Sequence, residues 1–184
     1  MADTPTRADM GADTGANTGA NTSTNTDPGV PALAELLLAR GWRLATAESC
    51  TGGLIAASCT ALSGSSAWFE RGFVTYSNEA KTELLGVPAE LIARHGAVSE
   101  PVALAMAEGA LRHAHAEVAV AVTGIAGPTG GSPDKPVGTV WIAWAVQGAP
   151  AHAACHHFDG DRAQVREATV RDALAGVRRR LTPL

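Results

Sequence analysis

A chain of 184 residues, 46% hydrophobic and 17% charged, has the length and apolar content for one domain with a real core. A net charge of −4 and an aromatic content of 4% argue against a basic nucleic-acid stripe or a base-stacking platform. Cys50, Cys59 and Cys155 form no Cys-x-x-Cys pair and cannot all pair with one another, so a disulfide framework is not expected and a reducing cytoplasm is. The start lacks the basic and apolar regions of a signal peptide, and no run of about 18 apolar residues suggests a membrane span.

Residues 1–28 hold the imperfect repeat "GADTGANTGANTSTNTDPG", which has almost nothing to bury and reads as a disordered tail. Order is expected from residue 29 onward in a single domain running to residue 184. Pro31 suits a first helical turn, Leu33, Leu36 and Leu37 share a face, and Gly41 is the stop. "WRLATAES" then reads as a strand and Leu54 to Leu62 as a helix beginning at Thr51 or Gly52. "GFVTYSN" reads as a second strand, followed by a short helix over Glu79 to Leu85, a turn at "GVP" and a further short helix to Arg94. Ser99, Glu100 and Pro101 open another helix, with Val102, Ala105, Met106 and Gly109 at helical spacing. "EVAVAVTG" and "VGTVWIAWAV" are continuously apolar, as central strands are, and a Gln147-Gly148 turn leads to a strand over Ala151 to Phe158. The last helix starts near Ala163, places Val170, Leu174, Val177 and Leu181 on one stripe, and ends on Arg178, Arg179 and Arg180, which suit its negative dipole end. The sum predicts an α/β fold: one three-layer α/β/α domain around a mixed, buried sheet.

Four stretches carry side chains with chemical potential. In "TAESCTGG" a strand ends at Glu48-Ser49-Cys50 and turns at Thr51, Gly52 and Gly53 into a helix. Side chains there sit at the carboxyl end of a strand beside helix N–H groups, where a phosphate or developing oxyanion is stabilised. The plain alternative is that Ser49 or Thr51 caps the helix. In "GFVTYSNEAK", strand alternation points Tyr76 and Asn78 the same way, and Lys81 follows within one helical turn. A helix start lowers an ammonium pKa and suits a proton acceptor; a solvated surface lysine is the alternative. "TGIAGPTGGSPDKPVGTVW" holds five glycines and three prolines between two apolar strands. Amides freed by Gly124 and Gly127 can cradle an anion and Lys135 can add a charge, although no Gly-Lys-Ser/Thr of a triphosphatase loop is present. In "CHHFDGDRAQVR" the pair His156 and His157 with Asp159 and Asp161 invites a metal, but neighbours on a strand face opposite sides, so no metal site is expected. Either acid makes a simpler helix cap, while Arg162 and Arg166 lie one turn apart and can reach a carboxylate or phosphate, or merely coat the surface.

Taken in order, "TAESCTGG", "GSSAWFERGFVTYSNEAK", "GAVSEP", "TGIAGPTGG" with "KPVGTVW", and "FDGDR" closely resemble the CinA C-terminal domain family from about Pro31 to Leu181. Members include nicotinamide-nucleotide amidohydrolases, and some carry a further N-terminal domain related to molybdopterin-binding proteins; this chain is expected to be the stand-alone form. The resemblance implies hydrolysis of the carboxamide of nicotinamide mononucleotide to nicotinic acid mononucleotide and ammonia, in pyridine-nucleotide recycling. Matched residue by residue, Ser49 is the implied nucleophile, Lys81 its base with help from Tyr76, and Thr123 a substrate or oxyanion contact. Thr51, Gly52 and Gly53 supply oxyanion donors, and Arg162 meets a phosphate or carboxylate. Asn78, Gly124, Gly127 and Lys135 complete the expected substrate contacts. No cofactor or metal is implied; the expected partner is the small-molecule substrate, not nucleic acid or membrane, and alanine-rich helices permit a homo-oligomer. Two rivals stand beside this reading. Cys50 as nucleophile requires a nearby base, for which only His95 suggests itself. A non-catalytic nucleotide-binding or competence-related interaction module keeps the glycine-rich loop but has no use for Lys81 and Tyr76 beside Ser49; an exposed Lys81 far from Ser49 favours it.

Overall fold

Glycine and proline punctuation sets the first boundaries of the computed structural model, which describes Asp27 and residues 29–182. Apart from Asp27, the tail expected over residues 1–28 lies outside the described residues. Helix α1 spans Val30–Arg40 with proline in its first turn, and Gly41 closes it in the left-handed conformation at φ 64°. Five strands follow: β1 (Leu44–Glu48), β2 (Phe69–Val74), β3 (Val118–Gly124), β4 (Thr139–Val146) and β5 (His152–His157). They form one sheet in the order β2-β1-β3-β4-β5, in which β1 runs parallel to β2 and β3, and β4 runs antiparallel to β3 and β5. The expected mixed sheet is present.

Side-chain alternation splits the core into two unlike faces. On one, Leu44, Val118, Val120, Val122, Val140, Ile142 and Trp144 pack against α1, α2 (Leu54–Thr60) and α6 (Arg162–Leu181). On the other, the sheet contributes Ala45, Ala47, Ala119, Ala121, Ala143 and Ala145 beneath α3 (Asn78–Leu85), α4 (Ala89–His95) and α5 (Glu100–His113). Small side chains on that face let helices lie close to the strand backbones, which brings α3 to the end of β1. Helix α6 begins with a capping box between Asp161 and Gln164, and its stripe of Val170, Leu174, Val177 and Leu181 is buried.

One strand is displaced from its sequence reading. Expected over residues 72–78, it runs Phe69–Val74, because the Ser77 side chain accepts from Ala80 N at 3.0 Å and caps α3. Tyr76 and Asn78 therefore do not share a strand face: Asn78 already belongs to the first turn of α3. Among the described residues, no helix is long and apolar enough to cross a membrane.

The approach of α3 to α5 depends on Gly109, where an added Cβ would collide with the Leu85 carbonyl. Gly109→Ala should cost about 1–3 kcal/mol by overpacking, read as a lowered midpoint in urea or thermal unfolding.

Candidate active site

The candidate site forms where β1 ends. The end of β1 is held on both sides: Ser49 N donates to Val122 O of β3 at 3.1 Å, and Thr75 N after β2 donates to Glu48 O at 2.8 Å. The chain then reverses through Gly52 and Gly53, both at positive φ (59° and 100°), which glycine adopts without strain. Glu48 and Ser49 are sequence neighbours and leave on opposite faces of the sheet. The Glu48 side chain goes to α2, where its carboxyl accepts from Thr51 Oγ1, Gly53 N, Ile55 N and Ala56 N at 2.7–3.0 Å. Ser49 goes to α3 and meets Lys81.

Lys81 lies at the geometric centre of this arrangement. Its side chain is 1% exposed, and Nζ lies 3.2 Å from Ser49 Oγ, 2.9 Å from Thr75 O and 3.3 Å from Ser77 O. Among the described residues it forms no ion pair. Burial strips water from the ammonium and lowers its pKa, outweighing the opposing influence of Cys50 and Glu79. Desolvation is thus the cause, where the sequence pointed to the helix start. Ser49 is itself largely buried, at 9% exposed.

The remaining residues distribute themselves differently from the sequence expectation. Of the three expected oxyanion donors, Gly53 N is taken by Glu48 and Gly52 N by Ser49 O at 3.1 Å. The N–H groups of Cys50 and Thr51 lie by the Cys50 sulfur and have no oxygen acceptor among the described residues. Tyr76 is 62% exposed, and its hydroxyl accepts from Arg162 at 3.0 Å; no hydrogen bond joins it to Lys81. Thr123 is buried and donates to Ala97 O at 2.9 Å, tying β3 to the loop before α5. Lys135 is no free cation, since Nζ donates to Val98 O at 2.8 Å and His95 O at 3.2 Å. Gly124 and Gly127 are required by packing, because a Cβ would come within 2.6 Å of Val140 and 2.5 Å of Val137 respectively. Asn78 borders a separate cavity of about 380 Å³ between α3 and α4, with Thr82 and Ile92.

Helix α6 reaches the site with two arginines. Arg162 donates to Gly127 O at 2.9 Å as well as to Tyr76, so it joins the glycine-rich loop to the segment after β2. Arg166 donates to Thr51 O at 2.8 Å and fastens the turn behind Ser49; its Nε is buried without a partner among the described residues. The role of Glu48 has a signal in the sequence, an acid five to eight residues ahead of amides at the start of a helix. His156 pairs with Asp172 at 3.2 Å, while His157 is exposed on the opposite side of β5.

The CinA C-terminal domain family matches residues 28–181, and the chain belongs to that family. It is 55% identical to nicotinamide-nucleotide amidohydrolase PncC of Escherichia coli K12 over 142 residues, which cover 77% of this chain and 86% of the relative. A putative competence-damage inducible protein of Symbiobacterium thermophilum is 58% identical over 158 residues; there the match covers 82% of this chain but only 37% of the longer relative. Among solved structures, a CinA superfamily protein from Klebsiella pneumoniae 700603 superposes with a TM-score of 0.79 at 44% identity, covering 83% of this chain and 94% of the other.

Burial decides the fate of the thiols. It pushes Cys50 up to about 11 and Cys59 to about 12, so neither is a ready thiolate, and among the described residues no hydrogen bond joins His95 to Cys50. A disulfide reagent at mildly alkaline pH should modify exposed Cys155 in native protein, and Cys50 and Cys59 only on unfolding. Thiolate population alone slows Cys50 about 100-fold against an ordinary thiol, a difference measurable by peptide mass spectrometry.

Proposed function

We propose that this member of the CinA C-terminal domain family hydrolyses the carboxamide of nicotinamide mononucleotide to nicotinic acid mononucleotide and ammonia, with Ser49 as nucleophile and Lys81 as its base. Relationship to a protein named a nicotinamide-nucleotide amidohydrolase supports the reaction. The contact of Lys81 Nζ with Ser49 Oγ at 3.2 Å carries the mechanism.

As an ammonium Lys81 donates to all three neighbours, Ser49 Oγ, Thr75 O and Ser77 O; once a proton is lost, donor counting places the lone pair. A neutral lysine amine has two N–H donors and one lone pair. The carbonyls of Thr75 and Ser77 can only accept, so they take both donors and leave the lone pair for the Ser49 hydroxyl. Lowering of the Lys81 pKa by burial raises the fraction of amine in that state. Ser49 Oγ then bonds to the carboxamide carbon as its proton moves to Nζ, and the amide oxygen takes the negative charge. Cys50 N–H and Thr51 N–H are the donors left to stabilise it. The Lys81 ammonium returns its proton to the amide nitrogen, the carbon–nitrogen bond breaks and ammonia departs. Water, deprotonated by the same amine, hydrolyses the Ser49 ester and regenerates the hydroxyl.

Tyr76 is reassigned in this scheme from proton transfer to the rim, where it orients Arg162. The Arg162 guanidinium keeps donors beyond those bound to Gly127 and Tyr76, and these suit the substrate phosphate. An exposed Lys81 far from Ser49 was what favoured the interaction-module alternative, and the observed burial and contact support the catalytic reading over it.

Purified protein without added metal should release ammonia from nicotinamide mononucleotide. Ser49→Ala and Lys81→Met should each lose about 100-fold or more in rate while keeping native circular dichroism, and Cys50→Ala, which retains the main-chain N–H, should remain active. No ammonia from the wild type would overturn the substrate assignment. The rate should climb as Lys81 loses its proton, with a midpoint below the ordinary lysine value of about 10.4; a midpoint at or above that value contradicts the role of the buried amine.

A further inference from the structure

Beside the dyad sits a fully buried acidic side chain that the proton transfers do not use. Glu48 is 0% exposed. Its Oε2 accepts from Thr51 Oγ1 at 2.7 Å, Gly53 N at 2.9 Å and Ile55 N at 3.0 Å; its Oε1 accepts from Ala56 N at 2.8 Å and Thr46 Oγ1 at 3.3 Å. Burying a carboxyl group is costly unless its lone pairs are matched, and here donors surround both oxygens. An apolar residue at this position would leave the first-turn amides of α2 unpartnered, so the acid holds the turn rather than merely filling space.

The turn in question is the one that follows Ser49. Gly53, Ile55 and Ala56 are bonded to one side chain, which curls Cys50 to Gly53 around it and occupies the donors of α2. What remains without an oxygen acceptor is the pair of N–H groups on Cys50 and Thr51, both beside the Cys50 sulfur. Through its main chain, Glu48 also reaches the base: its carbonyl accepts from Thr75 N, and the Thr75 carbonyl accepts from Lys81 Nζ. We propose that Glu48 is a positioning residue, whose carboxyl holds the Ser49 turn so that the hydroxyl meets Lys81 while the Cys50 and Thr51 amides stay available to the oxyanion. The inference rests on the Ser49–Lys81 reading above.

Glu48→Gln is the direct test. An amide replaces one accepting oxygen by an NH2 group that faces donors, so the same fold must hold a loosened turn. Two measurements are made on folded protein: turnover of nicotinamide mononucleotide, and labelling of Ser49 by phenylmethanesulfonyl fluoride, in which an O–S bond forms, fluoride leaves and the proton passes to Lys81. Glu48→Gln should lower kcat and the labelling rate together by about 100-fold, the scale of a small misplacement of reacting groups, with little change in KM. Val177→Ala, in the core of α6, provides a control that lowers Tm without touching the turn and should keep both rates. Should Glu48→Gln not fold, Thr51→Val removes one donor and leaves the amide bonds, and a labelling rate reduced about tenfold is expected.

Wild-type labelling and kcat in folded Glu48→Gln, or in Thr51→Val where that variant replaces it, would overturn the proposal. So would an equal loss in Val177→Ala, which would make the effect one of general stability. Labelling that depends on Glu48 in a protein that releases no ammonia would uphold this inference while rejecting the substrate. A wild-type Ser49 that resists the sulfonyl fluoride would reject the dyad and the inference with it.

Discussion

A strand buried on both faces must send adjacent side chains in opposite directions, and at the end of β1 the two neighbours are an acid and a serine. Everything at the candidate site depends on this separation. Glu48 enters the layer of α2, where the unbonded amides of a helix start satisfy it. Ser49 enters the alanine-faced layer, where α3 lies close enough for Lys81 to reach it. Had both residues faced the same side, the carboxyl would sit beside the ammonium, form an ion pair and raise the lysine pKa. The alternation of β1 keeps the acid and the amine in different layers of the molecule.

Isolation is what lowers the pKa of Lys81. A surface lysine is charged at neutral pH and its lone pair is unavailable. Here burial disfavours the charge, and two main-chain carbonyls orient the amine without supplying the negative charge that would restore it. Arginine would not serve in its place, because a guanidinium does not lose its proton in proteins. The surrounding packing has a matching purpose: Gly109 lets α5 approach the end of α3, and the alanine face lets α3 approach β1.

Several cations near the site are fasteners. Lys135 holds the glycine-rich loop against the α4–α5 connection, Arg166 holds Thr51, and Arg162 bridges Gly127 and Tyr76. Loops long in glycine gain little from their own side chains, so their positions depend on such cross-links to carbonyls. Helix α6, far away in sequence, therefore fixes the turn behind Ser49 and the rim beside it through its first two turns.

The order of strands and helices was legible in the residues, because apolar runs, glycine stops and N-terminal caps act over a few residues of chain. The pairing of Ser49 with Lys81, and the place of Arg162 near them, were implied by the family resemblance that the motifs carry. The start of β2 was not, since the Ser77 cap and the apolar pattern of Phe69 to Val74 compete within one stretch and packing settles the boundary. Nor were the carbonyl partners of Lys81 and Lys135, the bond between Tyr76 and Arg162, or the use of α2 amides by Glu48. Sequence by itself determined which elements form and which reactive side chains they hold, because composition and periodicity are local properties. Which donors are already occupied, and hence which remain for a substrate, only the tertiary structure decided, because main-chain groups are the same in every residue and are told apart only by what folds against them.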